Sequence, residues 1–133
     1  MCIFCKIVKK EIPAKILYED EKTMAFLDIN PRSKGHTLVI PKEHYETFEE
    51  VPEDVALHLV KTIKKVLEIL KPLNYHGYNI LSNNKPAAGQ EVPHLHFHII
   101  PRYRGEKEDV VKLAPPIEVD LDKVLEELKG KKS

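Results

Sequence analysis

Residues 92–102 read VPHLHFHIIPR, which puts His94, His96 and His98 at every second position with Leu95, Phe97 and Ile99 between them. Successive side chains of a strand point to opposite faces, so the spacing predicts three imidazoles on one face and a core-forming apolar row on the other. A strand with one buried face belongs to an antiparallel sheet, and the histidine face then looks toward solvent or a cleft. Like groups that repel once protonated are poor packing material, so their register marks a site.

The rest of the chain supplies partners for that strand. KILYED (15–20) and KTMAFLDI (22–29) are short apolar segments around a charged turn and read as a hairpin. GHTLVIP (35–41) reads as a third strand, GYNILSN (77–83) as a fourth and the histidine segment as a fifth. From Pro52 to Lys71, Val55, Leu59, Ile63, Val66, Leu67 and Leu70 recur at helical spacing, with Lys61, Lys64, Lys65 and Glu68 largely on the other side. Pro52 suits a first helical turn and Pro72 stops the helix. The loop NKPAAGQEVP (84–93) has the small residues that let backbone approach a ligand closely. After Arg104 the chain turns charged and proline-broken, and VDLDKVLEELKGKK (119–132) predicts a short amphipathic helix. The fold class is α+β, with helices packed on one face of a mostly antiparallel sheet. Residues 1–104 form the body, and residues 105–133 are an extension of the same domain.

Composition bounds the function. A chain of 133 residues fits one domain with a modest core. Lys plus Arg and Asp plus Glu number 21 each, so no overall field gathers a polyanion and nucleic-acid binding is disfavoured. No apolar run reaches membrane-spanning length, and MCIFCKIVKK lacks the cleavage site of a signal peptide. Two cysteines without a secretion signal point to the reducing cytoplasm and to a metal or redox role.

Two chemistries fit three same-face histidines. An imidazole whose tautomer is fixed by a partner presents a neutral nitrogen as nucleophile, while neighbours stabilise charge on phosphoryl oxygens and handle the leaving-group proton. His-x-His on a strand is equally a zinc arrangement, and three histidines with a water would make a catalytic metal site. Spacing leaves the two open. Cys2 and Cys5 form a C-x-x-C pair, half the ligands of a structural zinc, with His44, His58, His76 and His94 as possible further donors.

HLHFHII (94–100) preceded by GQEVP (89–93) resembles the signature of the histidine triad (HIT) family. IFCKIVKKEIPAKILYED (3–20), AFLDINP (25–31), GHTLVIPKEH (35–44) and GYNILSNN (77–84) resemble family segments in the same order, across roughly residues 2–104. The resemblance implies a homodimer whose five-stranded antiparallel sheets join into one, with a purine nucleotide site on each protomer. It implies hydrolysis of a nucleoside phosphoramidate or related nucleotide conjugate through a nucleotidyl-histidine intermediate. The dinucleoside polyphosphate hydrolases share the triad, and a nucleotide-binding regulatory dimer is the non-catalytic alternative.

Carried over by position, His96 is the implied nucleophile, His98 contacts the phosphate and assists the leaving group, and His36 supports them. Asn83, Gly89 and Gln90 match positions that hold phosphate oxygens, with Glu91 and Val92 beside them, and Asp28 matches the carboxylate that reads the ribose hydroxyls. Ile3, Phe4, Ile7, Phe26 and Ile29 match the apolar wall around the base. CIFC (2–5) together with PKEH (41–44) resembles zinc-carrying prokaryotic members, which implies a structural zinc on Cys2, Cys5, His44 and His94 and no catalytic metal. Glu91 stands where the phosphoramidases carry a serine near the leaving group, and HIIPRYRGEKEDVVKLAPP (98–116) runs past their short tail. The charge run in that tail reads as solvated surface.

Overall fold

A computed structural model describes residues 2–106 and 109–130. Five antiparallel strands form one sheet: β1 (Ile16–Glu19), β2 (Thr23–Leu27), β3 (Thr37–Pro41), β4 (Gly77–Leu81) and β5 (Phe97–Arg102). Their order is β1-β2-β3-β5-β4, so β5 inserts between β3 and β4. Asp20 makes the first hairpin, its Oδ1 accepting from the backbone N–H groups of Lys22 and Thr23 at 2.9 and 2.7 Å. Gly35 sits at φ +94° ahead of β3, where a Cβ would lie 2.7 Å from Leu73 Cδ1. Only glycine satisfies both the angle and the space.

The long helix α2 (Glu53–Ile69) begins one residue after Pro52 and ends before Pro72. Val55, Leu59, Val66 and Leu70 bury against Ala25, Val39, Leu95 and Ile99, while Ile63 and Leu67 are half-buried at the margin. Thr62, a polar residue outside the expected stripe, is also buried and meets the Thr23 hydroxyl at 2.6 Å. That pairing satisfies two groups that would be costly to bury alone.

The sequence reading put the helices on one face of the sheet, and the structure corrects this. A short helix α1 (Ile3–Val8), read from the sequence only as part of a family segment, lies on the opposite face. Phe4 and Ile7 pack there on Met24, Phe26, Leu38 and Ile40, the alternate residues of β2 and β3. Both faces of β2 and β3 are therefore buried, which explains why Thr23–Met24–Ala25–Phe26 is buried without a break. The long helix α2 is followed far downstream by the C-terminal helix α3 (Leu121–Gly130), within the stretch expected for it and exposed along its length. Among the described residues, no helix is long and apolar enough to cross a membrane.

Candidate functional site

β5 begins at Phe97, so His98 lies on the strand while His94 and His96 precede it in extended chain. The expected division of faces holds beyond the strand end. Leu95 and Ile99 bury toward α2. His98 pairs with Leu38 of β3 and Leu81 of β4 and so looks to the α1 face. The histidine face is roofed rather than open: His94 is 0% and His96 7% exposed. Phe4 of α1 sits edge-on to both, at ring-centroid distances of 5.8 and 5.1 Å.

Burial is the leading reason that all four central imidazoles ionise below the ordinary range. His94 and His98 are each held down to about 4, with neighbouring histidines adding to the effect, and His96 and His36 are lowered as well. At neutral pH each is therefore neutral with one N–H, and its acceptor identifies which nitrogen carries it. His96 Nδ1 lies 2.8 Å from the His94 carbonyl and must donate, which leaves the lone pair at Nε2. His94 is the reverse: Nε2 donates to the Pro41 carbonyl at 2.9 Å and Nδ1 is free. His36 Nδ1 accepts the Arg32 backbone N–H at 3.0 Å, so its proton is at Nε2 and is donated to His98 Nδ1, also at 3.0 Å. His98 is left with an N–H at Nε2. One neutral nucleophilic nitrogen and one N–H donor thus sit side by side, with rings 5.1 Å apart.

A cavity of about 410 Å³ opens over these two histidines. Ile3, Phe4, Ile7, Phe26 and Ile29 line it with Asp28, Asn83, Gly89, Glu91, Val92, His96 and His98. Ile29 stands at the mouth, 83% exposed. Asp28 serves its local turn, Oδ1 accepting from the Asn30 N–H at 2.9 Å, and turns Oδ2 to within 3.5 Å of His36 Nε2. His36 is buried behind His98 and does not line this cavity. Gln90 does not line it either. Its amide oxygen accepts the Lys85 N–H at 2.6 Å and its NH₂ donates to the carbonyls of Glu46 and Val92, so the side chain shapes the loop instead. Glu91 lies on the side of His94, where it also borders the cysteine cluster. Sequence reasoning missed Ile12, Pro13, Ala14, Leu27, Asn30, Arg32 and Leu38 in the lining. Leu38 was findable, since it lies two residues beyond His36 on the face it shares with His98; Arg32 sits in a turn without periodicity.

The cysteine cluster lies at the other end of the row. Cys2 Sγ is 3.2 Å from Cys5 Sγ and 3.3 Å from His94 Nδ1, and Cys5 Sγ is 3.3 Å from His44 Nδ1. The cross distances are 3.7 Å (Cys2 to His44) and 3.6 Å (Cys5 to His94). Donors about 2.0–2.3 Å from a tetrahedral zinc are separated by roughly 3.3–3.8 Å, so these four residues fit a metal ion. The free lone pair of His94 faces the sulfurs. Asp28, His36 and His98 also lie close together, but the His36 atom facing the other two is its protonated Nε2. That set works as a hydrogen-bond chain rather than as ligands.

The HIT domain model matches residues 9–105. The chain belongs to the histidine triad family. A HIT-like protein of Methanocaldococcus jannaschii is 62% identical over 98% of this chain and 100% of its own length. The adenosine 5'-monophosphoramidase of Saccharomyces cerevisiae is 42% identical over 92% of this chain and 75% of its own. A zinc-bound histidine triad protein from Mycobacterium smegmatis superposes with a TM-score of 0.77 at 37% identity, over 82% of this chain and 80% of that one.

Proposed function

We propose that this HIT protein is a nucleotide hydrolase that cleaves nucleoside phosphoramidates or related purine nucleotide conjugates through a nucleotidyl group on His96. The observation that carries the reading is the opposed protonation of His96 and His98 at the floor of one cavity. His96 Nε2 attacks the α-phosphorus, and the phosphorus–nitrogen or phosphorus–oxygen bond breaks with its electron pair leaving on the departing atom. That atom is protonated by way of His98 Nε2. Water then attacks the nucleotidyl-histidine, its proton passing back to the same nitrogen, and His96 is released neutral. Asn83 and the backbone at Gly89, which can take φ +93° without strain, stand where phosphoryl oxygens would be held. Asp28 reads the ribose hydroxyls and the Ile3–Phe4–Ile7–Phe26 wall holds the base.

Cys2, Cys5, His44 and His94 would hold a structural zinc, which when bound supplies four-fold cross-linking of the N-terminus to the sheet and no open position for a reactant. No catalytic metal enters the scheme. A homodimer completes the proposal: β4 is a sheet edge that leaves Tyr78 and Ile80 exposed, and the apolar Leu121, Leu125 and Leu128 of α3 are exposed among the described residues. A cytoplasmic setting suits the paired thiols. The test incubates the purified protein with an adenosine phosphoramidate and a diadenosine polyphosphate, with and without chelator. Phosphoramidate turnover that persists through brief chelation supports the reading; turnover only with added metal, or none, removes it.

A further inference from the structure

Helix α1 belongs to two sites at once. Cys2 caps it and Cys5 lies in its first turn, the Cys2 Sγ accepting the Cys5 N–H at 3.3 Å. The other two members of the metal cluster, His44 and His94, stand on the sheet side, one after β3 and one before β5. A metal ion held by the four would therefore join the start of a helix to a sheet. Ile3, Phe4 and Ile7 of the same helix face the cavity over His96 and His98, beside Phe26 and Leu38. Ile3 also borders the groove over the thiols. Phe4 sits between His94, His96 and Phe26, at ring-centroid distances of 5.8, 5.1 and 5.7 Å. Little else fixes this wall. Six residues are too few for a helix to persist in water without tertiary contacts. Phe4 and Ile7 supply such contacts, but Ile3 is 48% exposed. Among the described residues, the polar contacts from residues 2–8 to the sheet side are those of the two thiols with His44 and His94.

We infer that zinc occupancy at Cys2, Cys5, His44 and His94 sets the affinity for the nucleotide base, with α1 as the link. Cys2 and Cys5 are then positioning residues for the base wall. Two states of α1 define the coupling: docked with Ile3 and Phe4 in place, or loosened at its first turn. Docking costs conformational entropy, and a ligand that holds the helix docked spares the other that cost. The effect is reciprocal by thermodynamic necessity. The factor by which zinc tightens nucleotide binding is the factor by which nucleotide tightens zinc binding. It falls on the part of the nucleotide that touches α1. Asp28, Asn83 and Gly89, proposed for the ribose and phosphate, all lie outside that helix and should feel little of it.

The coupling rests on the reading of that cavity as a nucleotide site, and the probes keep the two apart. Zinc-loaded protein and zinc-free protein, the latter checked as folded by circular dichroism, are titrated calorimetrically with adenosine monophosphate and with ribose 5-phosphate, which lacks the base. Zinc should tighten adenosine monophosphate roughly 5- to 50-fold and ribose 5-phosphate by less than about twofold. In the reverse direction, a chromophoric chelator competes for zinc with the loaded protein. Saturating adenosine monophosphate should raise zinc affinity by the same factor, and ribose 5-phosphate should leave it unchanged. A ligand that merely favoured the folded chain would protect zinc whether or not it carried a base, so the pair of probes separates the link through α1 from overall stability. Phe4→Leu, which trims that link and keeps all four donors, should shrink the factor in both directions. Equal affinities for adenosine monophosphate with and without zinc overturn the coupling and leave the nucleotide site standing. So does equal protection by both probes, or a factor unmoved by Phe4→Leu. Failure of adenosine monophosphate to bind either form overturns both.

Discussion

His94 and His96 stand two residues apart on one face, both buried, both touching Phe4, and both held neutral by burial. They nonetheless present opposite nitrogens. His94 gives its Nε2 proton to Pro41 on the neighbouring strand and turns a bare Nδ1 to two thiols. His96 gives its Nδ1 proton to the carbonyl of His94 itself and turns a bare Nε2 into the cavity that it lines with His98. Residue type, spacing and burial are nearly the same. The acceptor on the far nitrogen decides which residue suits a metal and which suits a phosphorus atom.

The sharpest break of that comparison removes the proposed nucleophile. His96→Asn should lower turnover by on the order of 10⁴-fold or more while adenosine monophosphate still binds, because the attacking nitrogen goes and the pocket stays. His98→Ala should cost less, roughly 10²–10⁴-fold, as expected for a lost proton donor. Stopped-flow or quench kinetics with a labelled substrate would check both, and an adduct located on His94 or His98 would reverse the assignment. Next in size is the ribose contact. A hydrogen bond from a ribose hydroxyl to the half-buried, charged Asp28 carboxylate is worth about 1.5–3 kcal/mol, so ribonucleotides should bind roughly 10- to 150-fold more tightly than 2′-deoxyribonucleotides, and Asp28→Ala should shrink the gap. Titration calorimetry with the two sugars measures it, and equal affinities in the wild type would remove that role.

At the other end of the row the expected losses fall on stability. A Cys2→Ser, Cys5→Ser double variant should purify without zinc and melt roughly 5–10 °C lower, with initial rates of the folded enzyme falling less than those of His98→Ala. Full zinc retention by that variant would show that the thiols are not ligands. A rate loss matching His96→Asn would show that the two ends are not separable, with Phe4 as the natural link.

Most of the fold was legible in the residues, whereas spacing left metal and nucleophile open and only the family resemblance implied which histidine takes which role. The period-two row, the α2 stripe and the five strands follow from alternation and helical spacing, which local sequence encodes. What was not legible depended on contacts distant in sequence. Helix α1 has six residues, too few for periodicity to speak, and it is a helix because Phe4 and Ile7 find a second face of the sheet. Thr62 looked polar because its partner, Thr23, is thirty-nine residues away. The role of Gln90 depends on where a loop travels, and composition alone cannot specify a path. The tautomers were wholly invisible, since each is set by a backbone carbonyl or N–H that carries no residue identity.

The smallest expected effect concerns pH, and it tests the neutrality on which the comparison rests. An imidazole in the unfolded chain takes up its proton near 6.5, whereas His98 in the fold resists until about 4. Between those values the unfolded state binds more protons than the folded one, so stability must fall as pH drops through the window and must be complete above it. Metal loss in acid would give the same sign, so the measurement belongs on chelated protein. Its Tm should be several degrees lower at pH 5 than at pH 7.5, and His98→Asn should flatten that dependence. The rate follows the same logic: because His96 is also lowered, kcat/KM should hold steady down to about pH 6.5 and fall only below it. An acid limb centred above pH 7 would mean that His96 is charged in the resting enzyme. The hydrogen bond from its Nδ1 would then no longer single out Nε2 as the free nucleophile, and the contrast with His94 would fail.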